Sequence, residues 1–115
     1  MRAGALKDGE GWKLPINPMP TDTAPEDLAW ASPRRHPQPI KTFEQKLRLE
    51  SKQPPPPRHY IYAKRNGPGD VFRQFGERAR SEAAWKYYEI DASHNPHITC
   101  PDVLMALLAN IMAGP

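Results

Sequence analysis

Eleven of the fifteen prolines fall within the first 57 residues, and four run consecutively from Pro54 to Pro57. A proline has no backbone N–H and holds φ near −65°, so it interrupts helix interiors and sheet ladders alike. The first half is therefore expected to be loops with short helical pieces. Thr23-Ala24-Pro25-Glu26 has the pattern of a helix start, with Thr23 as cap and Glu26 reaching back to it, and the helix would run through Trp30. Pro33, Pro37 and Pro39 are expected to forbid regular structure after it. Lys41 to Leu49 has room for two helical turns, with Phe43 and Leu47 four apart on one side. The run Pro54–Pro57 reads as a stiff, extended spacer. The rival reading makes it a ligand for an SH3-type groove.

Composition narrows the function classes. Leu, Ile, Val and Phe together number 19 of 115 residues, and the net charge is only +3. So few core formers lie under the level of about 20% at which a chain buries enough surface to offset its ordering entropy. The chain reads as part of a larger core. No apolar run approaches the ~20 residues of a membrane span, and residues 1–8 have no apolar signal-like centre. A cytoplasmic location without a membrane partner is expected. The charge is too small and scattered for a nucleic-acid footprint. The single cysteine, Cys100, excludes an internal disulfide framework. His94, His97 and Cys100 have metal-like spacing but offer only three ligands, so no metal is expected.

The second half is regular. His59-Tyr60-Ile61-Tyr62-Ala63 is a run of strand formers, and Asn66-Gly67-Pro68-Gly69 is a loop by composition. A helix is expected from Asp70, with Val71, Phe72, Phe75, Ala79 and Ala83 as its apolar stripe. Trp85–Asp91 reads as a second strand and 92–98 as a loop. A last helix starts at Thr99-Cys100-Pro101-Asp102 and buries Val103, Leu104, Leu107, Leu108 and Ile111. A helix between two short apolar strands predicts a parallel pair with a right-handed crossover. The expected class is α/β, with a proline-rich segment over 1–57 and a strand–helix–strand–helix unit over 58–115. Ligands bind at the carboxyl ends of parallel strands. The loop there after the first strand ends in Asp70, and the loop after the second contains His94. A carboxylate beside an imidazole fixes its tautomer and stabilises the imidazolium. Asp91, three residues before His94, is read as ordering the histidine loop.

The segment from Arg58-His59-Tyr60-Ile61-Tyr62 through Asp70-Val71-Phe72, and then Tyr88-Glu89-Ile90-Asp91-Ala92-Ser93-His94 through Thr99-Cys100-Pro101-Asp102, resembles the end of an α/β-hydrolase. It is similar to small esterases related to plant methylesterases and hydroxynitrile lyases. The stretches Gly11–Pro15 and Pro25–Ile40 resemble that family's cap. The resemblance implies a partial α/β-hydrolase fold, with residues 1–57 derived from the cap and 58–115 carrying the last two strands. It implies that Asp70 is the triad acid and His94 the triad histidine, that the substrate is a small-molecule ester, and that no cofactor is needed. The chain departs from the family at the nucleophile. Ser32, Ser51, Ser81 and Ser93 all lack the G-x-S-x-G setting. The serine would therefore come from an N-terminal hydrolase half acting as partner. The alternative is a non-catalytic gene remnant or a proline-rich interaction protein. The hydrolase reading also expects Asp70 within hydrogen-bond reach of His94, and Tyr60, Tyr62, Tyr87 and Ile90 partly exposed.

Overall fold

The computed structural model describes residues 1–50 and 52–114. Ser51 and Pro115 lie outside the described residues. Its contacts divide the chain into two compact units. The first comprises Met1–Met19 and Leu28–Gln53, and the second Pro20–Asp27 with the chain from Pro54 onward. The later boundary, at Pro54, falls five residues before His59, where the strand-forming run starts. Among the described residues elements of both types are present, with two small sheets of two strands each.

The first unit opens with helix α1 (Arg2–Asp8), which the proline pattern does not anticipate. Gly9 ends it. The Gly9 and Gly11 amides both donate to the Ala5 carbonyl, and the chain turns so closely that a Cβ on Gly9 would overlap the Lys13 carbonyl oxygen. Strand β1 (Lys13–Leu14) then pairs antiparallel with β2 (Gln38–Pro39), Lys13 opposite Pro39 and Leu14 opposite Gln38. The expectation that proline forbids a ladder here is corrected. The missing Pro39 N–H is not needed, because the next amide, Ile40, donates to the Trp12 carbonyl at 2.8 Å. Pro33 likewise sits at the start of a 3-10 turn (Ser32–Arg34), where an absent N–H costs nothing.

Helix α2 (Pro25–Ala31) begins at its proline, as expected. The Thr23 hydroxyl, however, donates back to the Pro20 carbonyl at 2.6 Å, so it stabilises the preceding turn. Helix α3 (Lys41–Glu44) is one turn long and stops well short of Leu49. Leu47 and Leu49 are exposed, so no apolar contact extends it. The buried apolar residues of this unit are Ala5, Ala31 and Ile40.

In the second unit β3 (Arg58–Ala63) and β4 (Trp85–Ile90) pair in parallel, with Arg58 opposite Trp85 and Ala63 opposite Ile90. Helix α4 (Arg73–Ser81) connects them. The parallel pairing inferred from element order is therefore present. The helix's buried face differs from the expected stripe. Of the expected stripe only Ala79 is buried, and Gly76 joins it, whereas Val71, Phe72, Phe75 and Ala83 are exposed, and Ala83 lies beyond the helix end. The reason is the Tyr62 ring. A Cβ at Gly76 would stand 3.1 Å from it, so the helix approaches the sheet along its smallest residues. On that face the Tyr62 and Tyr87 rings stack at 6.5 Å, and Tyr60 meets Trp85 edge-on at 6.3 Å.

A one-turn helix α5 (Pro96–Thr99) occupies what reads as loop, and α6 (Pro101–Ala113) follows. No residue of α6 is buried. Leu104, Leu107, Leu108 and Ile111 are half-buried, and Val103 is exposed. Tyr60, Tyr62 and Tyr87 are half-buried, but Ile90 is buried, which corrects its expected exposure. No helix among the described residues is long and apolar enough to cross a membrane.

Candidate functional site

The parallel register carries both candidate loops off the same end of the sheet. Backbone pairing continues past the strands, with the Lys64 amide donating to the Ile90 carbonyl at 3.0 Å and the Arg65 amide to the Ala92 carbonyl at 2.9 Å. The Arg65 guanidinium then grips the second loop. It donates to Asp91 Oδ1 at 2.8 Å, to Oδ2 at 3.1 Å and to the Asp91 carbonyl at 2.9 Å. Asp91 thus orders the histidine loop, as read from its position, and the guanidinium holds its carboxyl below the usual carboxylate range. Arg65 itself was not singled out in the sequence. Its only signal is its place two residues past the end of β3, near an acid one residue past the end of β4.

Asp70 follows a turn that needs glycine, since Gly67 and Gly69 have φ of 72° and 77°. The turn brings the carboxylate back over β3. Oδ2 accepts a 2.6 Å hydrogen bond from the Tyr62 hydroxyl and a 3.4 Å bond from Asn66 Nδ2, while Oδ1 accepts the Phe72 amide at 2.9 Å. The last contact orders the turn leading into α4, whose N-cap is Phe72 and carries no side-chain cap bond. These bonds, the Tyr62 phenol foremost, hold the Asp70 carboxyl below its ordinary range against the opposing effect of burial. The same bond pushes the Tyr62 phenol upward, aided by burial.

His94 is exposed. Its ring stacks on that of Phe72, with centroids 4.7 Å apart and planes 14° from parallel. Phe72 comes two residues after Asp70, so the acid loop and the histidine loop do meet. They meet through an aromatic stack. The expected direct bond is not formed: among the described residues no hydrogen bond joins Asp70 to His94, because the acid's oxygens face Tyr62, Asn66 and the Phe72 amide. A cleft of about 210 Å³ opens beside the stack, lined by Tyr60, Asn66, Phe72, His94, Pro96 and Leu104 among others. Asn66 Oδ1, on its margin, is buried with no hydrogen-bond partner, while its Nδ2 donates to the Ala63 carbonyl at 2.8 Å.

No described serine is presented as a nucleophile. The Ser32 hydroxyl donates to the Leu28 carbonyl at 2.6 Å, and the Ser81 hydroxyl to the Arg78 carbonyl at 3.0 Å. Ser93 is 3% exposed. Ser51 lies outside the described residues. His94, His97 and Cys100 do not converge, and no group of three metal-ligating side chains forms among the described residues. Comparison with protein-family models, curated proteins and solved structures finds no match.

Proposed function

We propose that the β3–α4–β4–α6 unit is the acid-and-histidine end of an esterase-type α/β-hydrolase sheet, acting on small-molecule carboxylic esters when further strands supply a serine. His94 accepts the serine proton and returns it to the leaving alcohol. Asp70 is the residue that orients the imidazole. The observation that carries this reading is the parallel register with Ala63 opposite Ile90, which sends the Asp70 loop and the His94 loop off one sheet edge in the chain order acid, then histidine.

The reading also sets what has to change on completion of the site. Asp70 has to exchange its Tyr62 bond for the imidazole, and the Phe72–His94 stack has to open or rotate. A chain held as described here hydrolyses no ester by itself. The test is a chimera in which residues 58–114 replace the last strand–helix–strand–helix segment of an α/β-hydrolase esterase. The expected result is ester turnover that falls at least a thousandfold on His94→Ala and strongly on Asp70→Asn. A folded chimera without turnover, or turnover indifferent to His94, would overturn the proposal and leave the non-catalytic reading standing.

A further inference from the structure

The first unit contains a cleft that the hydrolase reading does not use. It measures about 400 Å³, within the range of small-molecule sites, and is lined by Leu6, Trp12, Pro39 and Ile40, with Arg2, Lys41 and Glu44 supplying its charges. Its apolar part is built from three separate pieces of chain. Leu6 comes from α1, Trp12 from the turn before β1, and Pro39 and Ile40 from the end of β2. Ile40 is buried and fixed by its amide bond to the Trp12 carbonyl at 2.8 Å. Leu6 is nevertheless 72% exposed and the Trp12 side of the cleft is half open, at 52%. Apolar surface is thus left in contact with water around a concave, backbone-ordered floor.

The charges decide the ligand class. Arg2 and Glu44 neutralise each other, with Nε donating to Oε1 at 2.6 Å and a second nitrogen donating to Oε2 at 3.4 Å. The Lys41 ammonium acts on the Glu44 carboxylate only at longer range and less than Arg2 does, and among the described residues it makes no hydrogen bond and no close ion pair. The cleft therefore carries one surplus positive charge beside an apolar surface. A cationic ligand would meet Lys41 and find the one carboxylate already held by Arg2. A neutral apolar ligand would leave the ammonium unused. We propose that this cleft binds a small apolar carboxylic acid, with the hydrocarbon part against Leu6, Trp12, Pro39 and Ile40 and the carboxylate at Lys41. A carboxylate accepting from an ammonium is a charge-assisted bond, stronger than its neutral counterpart.

The experiment is calorimetric titration of the full chain with octanoate, octylammonium and octanol. A parallel titration follows tryptophan fluorescence in the native chain and in Trp12→Phe. Octanoate is expected to bind saturably, at least tenfold tighter than either octylammonium or octanol. Its binding is expected to perturb a fluorescence signal that Trp12→Phe removes. Lys41→Met, or Lys41→Gln if that variant does not fold, is expected to weaken octanoate about tenfold and to leave octanol unchanged. Lys46→Met, outside the cleft, changes neither. Absence of saturable octanoate binding, equal affinity for octylammonium or octanol, or an unaltered octanoate affinity in the Lys41 variant would each overturn the proposal.

Discussion

Asp70 carries most of what single residues say about this chain. A carboxylate at the start of a helix reads equally as a turn-ordering residue and as a catalytic acid, and the structure displays the first role through the Phe72 amide. The second depends on what else competes for its oxygens, and the Tyr62 phenol, eight residues back on β3, wins that competition. Position after a strand was enough to place Asp70 and His94 in loops off one end of the sheet. Tyr62 was hidden, because it reads only as a strand former. The bond between them gives stability two pH limits. Asp70 has a depressed folded value, owing first to Tyr62. Its contribution is complete above the ordinary carboxyl value near ~4 and is lost as pH falls through the lower folded value. Tyr62 has a raised folded value, owing first to Asp70. Its contribution is complete below ~10 and is lost as pH rises through the higher folded value. Urea midpoints measured across pH are expected to fall less steeply on the acid side in Asp70→Asn, and less steeply on the alkaline side in Tyr62→Phe. Profiles parallel to the native one would place the bond outside the folded state in solution.

At the scale of elements, the order strand, helix, strand, helix was readable from hydrophobic pattern and proline punctuation, while the packed face of α4 was not. Periodicity placed Val71, Phe72 and Phe75 on the packed face together with Ala79, yet of these only Ala79 is buried, and the helix rests on it and on Gly76. A two-stranded sheet topped by tyrosine rings is already thick, and only small residues let a helix come near it. Gly76→Val tests this directly. The added branched side chain has to displace the Tyr62 ring, which a Cβ alone would meet at 3.1 Å. A loss of about 1–3 kcal/mol in urea unfolding is expected. An unchanged midpoint would mean that the ring does not pack there. Helix α1 and the β1–β2 ladder were missed for the same kind of reason. They depend on the close Gly9 turn and on one Ile40 amide bond, neither of which has a periodic signature.

For the molecule as a whole, the scarcity of core formers in the sequence reappears as apolar surface that stays exposed. Helix α6 buries none of its residues, and Val103, Met105 and Met112 face solvent. Met105 and Met112, seven residues apart, share one face of the helix, and exposed apolar surface drives association. Sedimentation velocity is expected to show average mass rising with concentration, and Met105→Glu with Met112→Glu to reduce the rise. A chain that stays monomeric at all concentrations and unfolds in one sharp transition would contradict the reading of α6 as an incompletely covered helix. Everything said of the candidate site depends in turn on one topological fact, the parallel register of β3 and β4, and nuclear Overhauser contacts between the strand backbones measure it most directly. Contacts of Arg58 with Trp85, Tyr60 with Tyr87 and Ala63 with Ile90 are expected. Contacts of Arg58 with Ile90 and of Ala63 with Trp85 would make the pair antiparallel, put the Asp70 and His94 loops at opposite ends, and contradict it.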